Sequence, residues 1–280
     1  MSGTVVLVVL LAAFCHALWN TIAKAGPRKF FNSVMIAGGS AVISLAALPF
    51  LTQPEAASWP YLAASVSLQI VYYSLVAAAY GAGDMSQAYP LMRGTAPLIV
   101  AIASGPLIGE ALEPARWAGV GLICLGVLAI ALNARRRAAP NTAGTVYALV
   151  NAGVIAGYTL VDGVGVRLSG APAAYTMWNC VATAALFLGY VGLSQRAEFL
   201  AYVRPRWHLA LVGGAGTLAS YGLSLWAMTQ APVAVVAALR ETSILFGAAL
   251  SFLILKERIG WPRLAASGVI LAGAATIRFF

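Results

Sequence analysis

Long apolar runs, separated by short polar, charged or proline-marked breaks, divide the 280 residues into ten segments. They fall near 4–24, 32–52, 59–81, 86–108, 114–133, 142–166, 172–193, 207–229, 233–255 and 261–279. Each is close to the ~20 residues a helix needs to cross a bilayer. Gly26-Pro27, Gln53-Pro54, Glu113-Pro114, Ala171-Pro172 and Trp261-Pro262 mark the breaks. Proline at a first helical turn costs little, because that N–H has no intrahelical partner. The connections are too short for a soluble catalytic domain. The expected class is an all-α integral membrane protein with ten transmembrane helices. No Lys or Arg precedes Val5–Phe14, so the first run is expected to be a span and not a cleaved signal peptide.

The pattern repeats. Shifted by 147 positions, Arg93 falls on Arg240, Glu110 on Glu257, Arg116 on Arg263, Gly121 on Gly268 and Gly126 on Gly273. Between Arg93 and Ile130, 12 of 38 positions are identical. Charged residues are scarce in this chain, so their coincidence points to a duplication. The halves are expected at 1–134 and 142–280, each a five-helix repeat, with 135–141 as linker. Earlier helices match more weakly, Trp19-Asn20 meeting Tyr158-Thr159 at an offset of 139. Five helices is an odd number, so the second half must enter the membrane inverted. Inverted repeats are a transporter signature, with the substrate site near the midplane between them.

Composition agrees with a membrane protein: 61% of residues are hydrophobic and 9% charged, against about 25% charged in soluble domains. The net charge of +9 includes no basic tract longer than Arg135-Arg136-Arg137, which argues against nucleic acid and for juxtamembrane cations facing anionic lipid. Cys15, Cys124 and Cys180 lie in apolar runs without CxxC spacing and read as buried thiols. Two histidines without HExxH argue against a metalloprotease, and no Walker A stretch or triad is visible. No enzyme activity, metal or cofactor is expected, and transport would be secondary or facilitative.

Loops 1–2, 5–6, 7–8 and 9–10 hold Lys24, Arg28, Lys29, Arg135–Arg137, Arg196, Arg204, Arg206, Lys256, Arg258 and Arg263. The opposite face holds Arg116, Arg167 and Arg278. By the positive-inside rule the first set is cytoplasmic and both termini lie outside.

Gly109-Glu110 followed by Trp117, Gly121 and Gly126, its second copy Lys256-Glu257 with Gly268 and Gly273, and the run Trp19-Asn20 to Lys24 resemble the drug/metabolite transporter superfamily in its EamA-type, ten-helix form. Within it the chain is most similar to bacterial exporters of aromatic amino acids. The resemblance implies a basket of helices around a central cavity lined by the first, third, fourth, sixth, eighth and ninth spans. It also implies export of small metabolites without ATP, a multi-pass location in the bacterial inner membrane, and both termini in the cytoplasm, opposite to the charge count. The expected partners are a small-molecule substrate, amino acids above all, and the lipid bilayer, with the protein a monomer.

Ionisable residues inside spans are functional candidates by default: His16, Asp84, Arg93, Asp162, Arg240 and Glu241. Arg93 and Arg240 lie about seven residues inside their spans, roughly 10 Å deep at 1.5 Å per residue, and inversion would place them near opposite faces. A guanidinium there suits a substrate carboxylate or an ion pair that fixes packing. Asp162, one turn from Tyr158, suits an ammonium or an arginine. His16, with Asn20 one turn on, suits proton shuttling near neutral pH or a structural hydrogen bond. Exposed arginines in the cavity would favour carboxylates as substrates, and exposed Asp162 and Glu241 would favour organic cations. Trp59, Trp117, Trp207 and Trp261 sit at helix starts as interfacial belts. Trp19, Tyr72, Tyr73, Tyr80, Tyr89, Tyr158, Trp178, Tyr221 and Trp226 lie within spans, where an aromatic substrate finds stacking partners. Of these, Trp19, Tyr80, Tyr158 and Trp226 are on spans that the resemblance places around the cavity. Thr95, Thr242 and Ser243 offer hydroxyls beside the arginines. Glu110 and Glu257 are expected to cap the following helix or pair with Arg116 and Arg263. The glycines of the fifth and tenth spans suit close helix contact. A membrane scaffold or enzyme is the competing class, disfavoured by the lack of soluble segments.

Overall fold

The structure is a computed structural model that describes residues 1–25, 27–82, 85–135, 142–255 and 260–279, with side chains except at 24–25, 77, 80–81, 85–87, 134–135 and 251–255. The helices are α1 (Gly3–Ala25), α2 (Lys29–Ala47), α3 (Trp59–Ala82), α4 (Met85–Ile108), α5 (Pro114–Arg135) and α6 (Thr142–Ser169). They continue as α7 (Pro172–Ser194), α8 (Arg196–Val203), α9 (Trp207–Met228), α10 (Val233–Arg240), α11 (Ser243–Leu255) and α12 (Trp261–Phe279). Among the described residues, eight stretches are long and apolar enough to cross a membrane. With α3 and α12 they occupy the ten predicted spans. Leu7, Val42, Ile102, Leu125, Leu132 and Leu193 stand exposed, as side chains facing lipid do.

Three local features depart from the apolar pattern. α2 stops at Ala47, and a one-turn 3₁₀ segment, Leu48–Phe50, follows with Pro49 at its centre. A short helix, α8, occupies the connection after α7. The ninth span is broken into α10 and α11 at Glu241-Thr242, where backbone N–H groups reach back three residues, to Ala238 and Leu239. The Thr242 hydroxyl donates to the Leu239 carbonyl at 2.7 Å, competing for the acceptor that a continuing helix would use.

The helix pairings map onto themselves when the halves are exchanged. α3 packs on α6 as α9 packs on α1, while α2–α7 and α5–α12 pair each element with its own counterpart. Small residues permit the closest approaches. A Cβ on Gly126 would lie 2.6 Å from Ile270 and 2.9 Å from the Ala266 carbonyl oxygen, and one on Gly273 would lie 2.7 Å from the Gly119 carbonyl oxygen. Gly39 on α2 and Gly214 on α9 touch backbone to backbone. Gly121 and Gly268 lie off these contacts, with nothing within 4 Å of an added Cβ.

Both termini share one face, where Arg278 Nη1 donates to the Met1 carbonyl at 3.3 Å. We call this the terminal face and the other, with most Lys and Arg, the basic face. The terminal face is tightly tied. Glu110 Oε1 meets Arg167 Nη2 at 2.5 Å, and Glu110 Oε2 accepts from the Val233 N–H at 2.8 Å. Arg167 also donates to the carbonyls of Met228 at 2.7 Å and Ala231 at 3.1 Å. The ends of α6 and α9, the start of α10 and the α4–α5 connection are thereby joined. This corrects the expected Glu110–Arg116 pair: Arg116 instead lies 3.7 Å from Glu113 on its own helix turn.

Candidate substrate-binding site

A cavity of about 160 Å³ runs from the middle of the bundle towards the basic face. His16, Trp19 and Asn20 line it from the later half of α1, and Ser33, Ile36, Ala37 and Ser40 from the first half of α2. Gln69, Tyr72 and Tyr73 come from α3, Tyr89 and Arg93 from α4, and Tyr158 from α6. Asn179, Cys180 and Thr183 on α7, Thr217, Ser220 and Tyr221 on α9, and Arg240 at the end of α10 complete the lining.

Its aromatic wall is interlocked. Tyr72 meets Tyr73 and Tyr158 edge to face at 4.9 and 5.9 Å between ring centres. Tyr73 meets Phe187 at 4.8 Å, and His16 meets Trp19 at 5.3 Å. The Asn20 amide donates to the His16 carbonyl at 2.8 Å, which fixes its side chain against its own helix.

A polar network forms the wall between α3, α7 and α9. Gln69 Nε2 donates to Asn179 Oδ1 at 2.9 Å and to Tyr221 Oη at 3.3 Å, and Asn179 Nδ2 donates to Ser65 Oγ at 3.1 Å. Behind it Asp162 is 1% exposed. Its two oxygens accept from the hydroxyls of Tyr175, at 3.2 Å, and Tyr221. A buried carboxylate needs such donors, since an unpartnered charge would cost several kcal/mol. Asp162 is thus held one hydroxyl behind the lining.

The floor carries the charge. Arg93 Nε and Glu241 Oε2 pair at 2.9 Å, with side chains only 10% and 5% exposed. A smaller void of about 10 Å³ lies against both residues, Arg240, Tyr158 and Thr159. Arg93 and Arg240 therefore share one site, and do not lie near opposite faces. α4 is 24 residues long, which puts Arg93 only roughly 5 Å from its midpoint at 1.5 Å per residue; Arg240 is displaced by a similar step the other way. Among the described residues, no carboxylate lies within ion-pair distance of Arg240.

The duplication explains this imbalance. The shift that superposes Arg93 on Arg240 places Gly94 on Glu241. An acid at position 94 would force Leu128 to shift, because an added Cβ would lie 2.9 Å from it. One acid therefore serves two arginines.

The structure brings His16, Trp19, Asn20, Tyr89, Arg93, Tyr158 and Arg240 to the cavity. Trp226 packs against the main apolar core instead. Ser243 is buried, at 5% exposure, just beyond the helix break. The side chain of Tyr80, and residues Asp84 and Glu257, lie outside those described. Gln69, Asn179 and Thr183 were not singled out from the sequence; amides inside apolar spans were the available signal.

No curated protein matches the chain. One solved crystal structure superposes with a TM-score of 0.76 at 21% identity, covering 99% of this chain and 96% of that one, a likeness of fold. The sequence signature of the EamA-like transporter family matches twice, over residues 3–132 and 142–279. The chain belongs to the EamA-like transporter family and is a multi-pass membrane transporter of small molecules.

Proposed function

We propose that this protein exports amino acids, aromatic ones among them, across the bacterial inner membrane by alternating access between its two halves. The observation that carries the reading is Arg240, a cavity-lining guanidinium with no carboxylate within ion-pair distance among the described residues, whereas its repeat-mate Arg93 holds Glu241. A substrate carboxylate supplies the missing partner, and a guanidinium binds it through two parallel hydrogen bonds. Trp19, Tyr72, Tyr73, Tyr89, Tyr158 and Tyr221 offer ring faces to an apolar or aromatic side chain. Asp162, behind the Tyr221 hydroxyl, gives negative potential for the ammonium group. Organic cations fit less well, since Asp162 and Glu241 are absent from the lining of the main cavity while both arginines are present.

The test is uptake of labelled tryptophan or phenylalanine into proteoliposomes. Saturable uptake, reduced by unlabelled amino acid, is expected. Absence of saturable uptake for every amino acid tried would remove the proposal.

A further inference from the structure

We infer that Glu241 sets how many negative charges a substrate presents to the cavity floor. The inference rests on the reading of Arg240 as carboxylate receptor and extends it to substrate class. Two guanidiniums meet at the floor, and a dianion such as a dicarboxylate or a phosphate ester would otherwise match them both. Glu241 occupies one of them: its Oε2 holds Arg93 Nε at 2.9 Å in a pocket where both side chains are almost fully buried. The pair is internally neutral, and the floor presents one uncompensated charge, on Arg240. Asp162, the other carboxylate near the floor among the described residues, has both oxygens held by Tyr175 and Tyr221 and is out of reach of a ligand.

A second negative group would have to sit beside the Glu241 carboxylate in a water-poor site. Placing an uncompensated or like charge there is how a site rejects a wrong ligand. Arg93 retains unused capacity, because its buried Nη2 has no hydrogen-bond partner. Neutralising Glu241 would leave Arg93 to receive a second carboxylate. The cavity therefore selects monoanionic or zwitterionic substrates, and Glu241 is the determinant.

The experiment compares 3-phenylpropionate with benzylmalonate, which differ by one carboxylate, as competitors of labelled substrate uptake. Wild type is expected to favour the monocarboxylate. Glu241→Gln should move the ratio of inhibition constants at least tenfold towards the dicarboxylate, and the double variant Arg93→Gln/Glu241→Gln should move it back. Arg93→Gln alone leaves Glu241 to neutralise Arg240, so monocarboxylate inhibition should weaken at least tenfold. This variant decides the matter should Glu241→Gln not fold. An unchanged ratio in Glu241→Gln, undiminished monocarboxylate inhibition in Arg93→Gln, or a dianion gain that persists in the double variant would overturn the role of Glu241. These results leave Arg240 as receptor intact. Wild type inhibited by neither acid would instead refute the reading on which the inference stands.

Discussion

Replacing Glu110 by Ala should unlock the terminal face. Its carboxylate holds Arg167 at 2.5 Å and the Val233 N–H at 2.8 Å. The ion pair is partly exposed, at 34% and 14% for the two side chains, so solvent screening limits it to about 1 kcal/mol. The bond from an amide to a charged acceptor adds about 2 kcal/mol. Together the loss is about 3 kcal/mol, or about 100-fold in the balance between states closed and open at this face. Cys180 lines the cavity and reports which face reaches it. In a Cys15→Ser/Cys124→Ala background, an impermeant maleimide should label Cys180 from the basic face in the parent protein. With Glu110→Ala, labelling from the terminal face should rise by one to two orders of magnitude, the sides being assigned by an accessible C-terminal tag. An unchanged terminal-face rate in a folded variant would refute the assignment of this cluster as the seal.

Gly214→Ala should destabilise the bundle by several kcal/mol, because its Cβ would overlap the backbone of Gly39 and Ser40. Gly121→Ala, with nothing within 4 Å, should leave the detergent melting temperature unchanged; equal effects would contradict the helix contacts described. Trp19→Leu should weaken substrate binding about three- to tenfold through lost ring contact, measured by competition. Trp226→Leu, outside the lining, should change it by less than about twofold; the reverse order would misplace the aromatic wall.

The spans were legible because lipid demands long apolar helices with satisfied backbones. Boundaries were less so. Nothing in the apolar run 233–255 announces the break at Glu241-Thr242, where the Thr242 hydroxyl takes the Leu239 carbonyl. The repeat arithmetic revealed Arg93 and Arg240 but set them near opposite faces, because arginines on either side of the midplane span the short remaining distance with their side chains. Glu110 was legible as structural from its position at a helix end, whereas its partner was not. Arg116 is near in sequence, but Arg167 is brought close only by the packing of α6 against the α4–α5 connection. Asp162 was visible as an intramembrane acid, and its retreat behind Tyr221 became evident only from packing. Gln69 and Asn179 carry no charge, so the sequence sets them apart less sharply than an arginine, though an unbonded amide is also costly in lipid.

The central claim is that Arg240 receives a substrate carboxylate, and substrate binding to Arg240→Gln tests it most directly. Purified wild type and variant would be titrated with phenylalanine and with phenethylamine, which lacks the carboxylate. Losing a charge-assisted pair of hydrogen bonds costs about 2–4 kcal/mol, so phenylalanine affinity should fall about 30- to 700-fold while the weak binding of phenethylamine stays the same or improves. Phenylalanine binding that survives the loss of Arg240 within about threefold, in a variant that melts like wild type, would contradict the account.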